Sequence, residues 1–215
     1  MINTRSKFLL LIFVAILANS ANANLSKYVH VRETLFWDKL YTEKYHTLYC
    51  AKHHPAGAKV DIALVYSIDW IANAMNCPDT SDCPFARYKD AVADMHNWWP
   101  MEAKIDDVRK HYVFAEGQTD QTKQGICHFK IHPLGVEPRE WAKGEIARSV
   151  LHMLWKYRLP HYGQIPLMVE WAKKFPPNAE EKWRNEKIKE LQSVENRFIS
   201  DPAFIDIAFP DPQKY

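Results

Sequence analysis

The chain of 215 residues carries 28 basic and 26 acidic side chains, a formal net charge of +2, and 47% hydrophobic residues. This length suits one domain with a full core. The near-neutral charge excludes the simplest argument for a nucleic-acid partner, which is overall attraction to a polyanion, although a local basic groove would be sufficient for binding.

An export signal is predicted at the N-terminus. Arg5 and Lys7 precede the apolar run 8–17, and Ala21-Asn22-Ala23 has the small-x-small pattern that signal peptidase reads. The sequence therefore predicts a signal peptide over residues 1–23, a single mature domain over residues 24–215, and a secreted or periplasmic protein. The apolar run is too short to span a bilayer and no later stretch is long enough, so no membrane span is expected.

The first helix is predicted close to the expected cleavage site. Aromatic and aliphatic residues recur at three- and four-residue steps over residues 26–49, which is the periodicity of an amphipathic helix. The next segment, His53-His54-Pro55-Ala56-Gly57, predicts a polar turn. Its paired histidines could ligate a metal ion, but exposure to solvent in a loop is the favoured interpretation.

The middle of the chain predicts a strand and then a helix. Residues 60–66 are rich in β-forming side chains, and residues 70–75 favour a helix that Asn76-Cys77-Pro78 ends. Residues 117–125 are polar and predict a loop. After them, one apolar helix face is predicted from the spacing of five residues: Ile146, Val150, Met153, Leu154 and Tyr157. Two further helices are predicted over residues 166–175 and 179–194.

Cys50, Cys77, Cys83 and Cys127 are an even number of cysteines in a chain that is expected to be exported. Two disulfides are the default interpretation in an oxidising compartment. Of the three pairings we favour Cys77 with Cys83, which would close a short loop, and Cys50 with Cys127. A zinc site is the alternative, but the four cysteines form no CxxC pair.

Three segments resemble the endonuclease I family of secreted bacterial nucleases. Residues 62–72 align without a gap to the family's Ile-Glu-His-Val-Tyr-Pro-Ala-x-Trp-Met/Ile-Ala, and they differ from it at Ala63, Leu64, Ser67 and Ile68. Residues 94–100 resemble its Asp-Leu-His-Asn-Leu-x-Pro, and residues 143–148 its Arg-Gly-Asp-Ile-Ala-Arg. The resemblance runs from about Leu48 to about Phe198. It implies a strand at residues 47–50 and a second hairpin strand after residue 94.

The fold that the resemblance implies is α+β, a mostly helical, disulfide-stabilised single domain around a ββα-metal core. In that core a hairpin and a helix hold one divalent ion, typically Mg²⁺, while a histidine takes a proton from the attacking water. Residue by residue, the family's metal-binding Glu falls on Ala63, its base His on Leu64, and its metal-binding Asn on Asp106. A methyl group and a leucine side chain can neither bind Mg²⁺ nor accept a proton, whereas Asp106 could still hold the ion.

The remaining candidate residues are weaker. His96 could serve as a base, although a buried, hydrogen-bonded brace is the ordinary role for it. Arg109, Lys143 and Arg148 could contact phosphates or instead pair with acids. Trp98 and Trp99 could stack on bases, but a strand would place one toward the core and the other toward solvent.

Three functional hypotheses follow from these residues. The first is an exported, catalytically impaired relative of metal-dependent DNA or RNA phosphodiesterases, with weak binding to a nucleic-acid backbone and no cofactor. The second is an active nonspecific endonuclease that uses Mg²⁺ or another divalent ion with a relocated base, in which Asp106 and Asp69 or Asp94 hold the ion. The third is a protein-interaction module that binds a protein partner through the vacated cleft, recognisable by an exposed apolar patch around Leu64. A monomer is expected in each case.

Overall fold

A computed structural model describes residues 27–81, 83–109, 112–117, 123–124 and 126–215, with the backbone alone at residues 106–108, 123, 124 and 126. The predicted signal peptide lies outside the described residues. So does most of the loop predicted over residues 117–125.

The N-terminal helical segment comprises residues 27–30 and helix α1, Val31–Leu40, which has π-helical hydrogen bonding. The helix ends where the Tyr41 N–H donates to the Phe36 carbonyl at 3.0 Å. The helix predicted over residues 26–49 is therefore too long. The apolar periodicity continues past Leu40 because Tyr41 and Tyr45 pack into the same aromatic cluster from a non-helical backbone.

Two short strands follow, β1 at Tyr45–His46 and β2 at His53–His54, and they pair antiparallel. The strand expected at residues 47–50 is wrong, because this segment is the turn between them, closed by the Thr47 N–H donating to the Lys52 carbonyl at 3.0 Å. The polar turn expected over residues 53–57 is confirmed at residues 56 and 57 only, because His53 and His54 form β2. Distant contacts fix the turn between β1 and β2, since the Leu48 N–H donates to the Pro100 carbonyl.

The centre of the fold is an antiparallel pair of strands followed by a helix. Strand β3, Asp61–Leu64, pairs with β4, Trp98–Met101, and helix α4, Ala103–Arg109, follows directly. Helices α2, Ile68–Ala74, and α3, Ala86–Val92, are inserted between the two strands. The second strand and the helix expected from the resemblance are confirmed.

Strand β4 separates two hydrophobic clusters. Trp99 belongs to the main core, and Trp98 belongs to a second cluster with Phe36 and Leu40 of α1. Alternate residues of a strand point to opposite faces, so each indole enters a different cluster. Both are buried, which contradicts the expectation that one would face solvent and leaves neither ring available to a base.

A three-stranded antiparallel sheet is formed by β5, Lys123–Gln124, β6, Lys130–His132, and β7, Gly135–Glu137. A disulfide between Cys50 and Cys127 links the segment before β6 to the β1–β2 turn. The second disulfide joins Cys77 and Cys83 between α2 and α3. Both predicted pairings are confirmed.

Helix α5, Glu140–Tyr157, is buried along almost its whole length and packs most closely against α6. The helices that surround it are α6, Ile165–Lys174; α7, Ala179–Gln192; α8, Arg197–Ser200; and α9, Phe204–Ala208. The predicted α5, α6 and α7 are confirmed. Trp183 of α7 is about half exposed, and the buried residues of this helix are Glu181, Arg184, Asn185 and Ile188.

The described residues form one α+β unit with two disulfides, as the sequence predicted. Among them, no helix combines the length and the apolar character needed to cross a bilayer.

Candidate active-site cleft

The β3–β4 ladder and α4 are tied together by Arg109. Its Nη2 donates to the Val65 carbonyl and its Nη1 to the Tyr112 carbonyl, each at 2.6 Å, and its guanidinium lies 4.0 Å from the centre of the Phe114 ring. Arg109 is only 4% exposed. The phosphate contact predicted for Arg109 therefore has no support in its geometry, which is that of an internal brace.

A cleft of about 250 Å³ opens beside this brace. Its lining consists of Tyr28, Ile62, Ala63, Leu64, Ser67, Ile68, Asp69, Met101 and Arg109. The two positions that matched the family's Glu and His, Ala63 and Leu64, therefore lie in one cleft, as the resemblance predicted. Most of the lining is apolar.

Ala63 and Leu64 occupy different surroundings on β3. Ala63 is buried in the main core, whereas Leu64 is partly buried and packs against the second cluster, opposite Trp98. Tyr28, from the N-terminal helical segment, lines the same cleft, and its ring centre lies 4.9 Å from that of Trp98. The apolar patch expected around Leu64 is therefore partly covered by the chain itself.

The described side chains of the cleft do not fit a divalent ion. Hard cations such as Mg²⁺ prefer several oxygen ligands, and the lining offers one carboxylate, that of Asp69, besides the hydroxyl groups of Ser67 and Tyr28. Within the described ranges, no three His, Cys, Asp or Glu residues are grouped to hold a metal. Asp106 lies in α4 at the position expected from the resemblance, but its side chain is outside the described residues.

Asp94, the other suggested ion ligand, is already fully engaged. Its carboxylate accepts hydrogen bonds from His152 Nε2 at 3.0 Å, Lys156 Nζ at 3.1 Å and the Tyr157 hydroxyl at 2.9 Å. Burial by itself would raise the pKa of Asp94, but His152 and Lys156 reverse that effect and hold the pKa well below its usual range. Asp94 is an ionised structural anchor that does not line the cleft.

His96 lies beside this network and is 1% exposed. Its Nε2 lies 3.1 Å from the Val194 carbonyl, an acceptor, so Nε2 carries the proton. Burial, together with the nearby His152, lowers the pKa of His96 to about 3. A general base works best with a pKa near the working pH, and His96 does not line the cleft, so its geometry supports the bracing role.

Lys143 and Arg148 are also engaged inside the protein. Lys143 Nζ donates to Glu137 Oε1 at 2.8 Å and also to Glu116. Arg148 makes a two-point ion pair with Glu181, with Nε to Oε1 at 2.7 Å and Nη2 to Oε2 at 2.6 Å. Each residue is at most 3% exposed. The structure gives both side chains acidic partners in place of the predicted phosphates.

The family model described as Endonuclease I matches residues 19–203 of the chain. The protein belongs to the endonuclease I family. This assignment agrees with the resemblance found in the three sequence segments. It also agrees with the β3–β4–α4 unit that the resemblance implied.

Curated endonuclease I relatives are similar over part of the chain. The extracellular ribonuclease of Bacillus subtilis (strain 168) is 26% identical over 145 residues, which cover 59% of this chain and 50% of that protein. The periplasmic deoxyribonuclease of Aeromonas hydrophila is 28% identical over 122 residues, 53% of this chain and 50% of that protein. Endonuclease-1 of Buchnera aphidicola is 28% identical over 116 residues, 53% and 46% respectively. The chain thus spans about half the length of these relatives.

Tyr28 is a cleft residue that no motif predicted. It lies within residues 19–203, which the family model matches, but before the three segments that carry the resemblance. Its contact with Trp98 depends on how the N-terminal helical segment packs on β4, and no local pattern in the sequence signals that packing.

Proposed function

We propose that the protein is an exported endonuclease I-like protein that keeps the scaffold of a metal-dependent DNA or RNA phosphodiesterase and has little or no hydrolytic activity. The observation that carries this proposal is the presence of Ala63 and Leu64 in the cleft. Neither side chain can ligate a divalent ion or accept a proton. Loss of a general base alone typically slows a reaction by about 10² to 10⁴-fold, and loss of a metal ligand adds to that.

The surroundings of the cleft support the same proposal. Leu64, Ile62 and Tyr28 pack against the second cluster and line the cleft together, so the surroundings of the position matched to the family's base are apolar. The buried cations Arg109, Lys143 and Arg148 have partners within the protein. Any nucleic-acid backbone would therefore meet few unpaired charges here, and its binding would be weak.

An active divalent-ion nuclease is the second candidate, and one observation favours it. Asp69 is exposed and lines the cleft, so its carboxylate could join Asp106 in holding an ion. In that case Asp69 would be a ligand, and Asp69→Asn would abolish cleavage. The protein-interaction hypothesis is less favoured, because Tyr28 already covers part of the apolar lining.

The deciding experiment is a cleavage assay on plasmid DNA and on RNA with Mg²⁺ or Mn²⁺. We expect no cleavage above the level of an EDTA-treated sample. Asp69→Asn serves as the matched variant, since a contaminating nuclease would be unaffected by it. EDTA-sensitive cleavage at rates typical of a dedicated nuclease, and lost in Asp69→Asn, would overturn the proposal in favour of the active enzyme.

The location, domain boundaries and oligomeric state belong to the same proposal. The relatives are named extracellular or periplasmic proteins, and the described residues contain two disulfides, which form in oxidising compartments. We propose a secreted or periplasmic monomer with a signal peptide over residues 1–23 and one domain over residues 24–215. Mass spectrometry of the exported protein, together with its elution volume, would test these three features.

A further inference from the structure

Two histidines face each other on the β1–β2 ladder. His46 of β1 is directly opposite His53 of β2, and their ring centres lie 6.2 Å apart with an interplanar angle of 74°. Residues directly opposite in an antiparallel pair project from the same face, with Cβ atoms about 4.5–5.5 Å apart. The two imidazoles therefore stand side by side on one face of the hairpin.

A carboxylate of another element lies behind one of these rings. Glu180 of α7 places Oε2 3.2 Å from Nδ1 of His46. When Nδ1 carries the proton of the neutral ring and donates it to the carboxylate, Nε2 presents its lone pair outward. Metal-ligating histidines are oriented in this way, by a carboxylate that accepts from the second ring nitrogen.

We propose that His46 and His53 form a two-histidine site for a divalent transition-metal ion such as Zn²⁺, with Glu180 orienting His46. Imidazoles bind Zn²⁺ at about 2.0–2.1 Å, which places the centres of two rings on one tetrahedral ion roughly 5 Å apart. The rings of His46 and His53 are 6.2 Å apart, so they must approach by about 1 Å to share an ion, and a side-chain rotation of the exposed His53 can supply that movement. Imidazole nitrogen favours Zn²⁺, Cu²⁺ or Ni²⁺ over Mg²⁺, whose preferred ligands are oxygens.

The site is open and exchangeable. His53 is exposed and His46 is partly buried, so water completes the coordination. Because the described residues contain no group of three or more metal-ligating side chains, the ion is held by two protein ligands and binds more weakly than in a four-ligand structural site. Neither histidine lines the cleft at Leu64, so this site is independent of the nuclease chemistry.

The neighbouring His54 shows that the position of a histidine on the ladder decides whether it can contribute to the metal site. His54 is opposite Tyr45, and its ring stacks on the tyrosine at 5.5 Å with an interplanar angle of 19°. It points to the other face because consecutive strand residues alternate. The sequence drew attention to His53-His54 as a pair, whereas the structure pairs His53 with His46.

The test is titration of the mature protein with Zn²⁺, measured by calorimetry and by NMR of the imidazole nitrogens. We expect one ion per protein and shifts at His46 and His53. His53→Ala should weaken binding at least tenfold, and Glu180→Gln should weaken it by about ten- to a hundredfold, the usual effect of removing an outer-shell partner. His30→Ala is the matched control, since His30 is also an exposed histidine, and it should bind Zn²⁺ as the wild type does.

Unchanged melting temperatures will show that the variants are folded. A wild-type protein that binds no Zn²⁺, or a His53→Ala variant that binds it as tightly as the wild type, would overturn the proposal.

Discussion

Leu64 lies directly opposite Trp98 on the β3–β4 ladder, and both side chains pack in the cluster formed with the N-terminal helix. The position that the resemblance matches to the family's base is therefore part of a hydrophobic contact. The apolar residue at this position is consistent with its packing as well as with the proposed loss of activity.

Restoring the two family side chains should restore some activity. The variant Ala63→Glu with Leu64→His returns a ligand and a base to the cleft, so we expect Mg²⁺-dependent plasmid cleavage about 10² or more above the wild type. Leu64→His alone should give less, because no carboxylate at position 63 would help to hold the ion. Cleavage should be measured together with melting curves, with and without Mg²⁺.

The double variant should also be less stable without Mg²⁺, by on the order of 3 kcal/mol, because Ala63 is 3% exposed and a buried carboxylate lacks compensation there. Adding Tyr28→Ala should raise cleavage further by uncovering the cleft. A folded double variant that stays inert with Mg²⁺, with or without Tyr28→Ala, would show that more than two side chains were lost.

His96 should remain neutral well below the pH at which an ordinary histidine becomes charged. Its pKa is lowered to about 3, mainly by burial, so NMR of the ring nitrogens at pH 5 should show a neutral imidazole with its proton on Nε2. Exposed His30 in the same spectra provides the reference. Titration of His96 between pH 6 and 7 would instead revive it as a candidate base.

The ion pair between Arg148 and Glu181 should be important for stability. Arg148→Met would leave the buried Glu181 carboxylate without its partner, at a cost of about 3–5 kcal/mol in the free energy of unfolding. Adding Glu181→Gln should recover part of that loss. Arg158→Met, at an exposed position, should change stability by less than about 0.5 kcal/mol.

Urea unfolding measures these differences. Should Arg148→Met keep its stability and lose affinity for DNA, the phosphate contact predicted from the sequence would be the correct interpretation.

Glu145 should make the protein less stable as the pH rises. Burial, with a contribution from the Glu181 charge, raises the pKa of Glu145 from 4.5 to about 7. The folded state thus keeps a proton that the unfolded chain has lost. The resulting stabilisation is complete below about pH 4.5 and is lost as the pH rises to about 7, a change of about 3 kcal/mol.

Glu145→Gln should remove this dependence, because its amide does not ionise. The stability of the variant relative to the wild type should therefore increase between pH 4 and pH 8, and the difference between the two proteins cancels the titration of all other groups. A difference that is constant across this range would mean that Glu145 has the same pKa in the folded and unfolded states.

Local patterns in the sequence were sufficient for the main helices and for the strand that carries the altered site. The spacing of Ile146, Val150 and Met153 predicted α5, and the unbroken match over residues 62–72 placed Ala63 and Leu64 together in one cleft. Both features depend on neighbours along the chain. The disulfide partners were also predicted correctly. Four cysteines allow only three pairings, and the favoured one closes the short loop between Cys77 and Cys83.

The contacts of the charged and aromatic residues were decided only by the tertiary structure. Arg148 pairs with Glu181 and Asp94 accepts a hydrogen bond from His152, and each pair is far apart in the sequence. Tyr28 likewise lines a cleft whose other residues lie more than 30 positions further along the chain. A buried charge must meet a partner, but its own neighbours in the chain do not indicate which one. For the same reason His46 and His53 became neighbours only when β1 and β2 paired, since strand register is set by distant contacts that fix the turn between them.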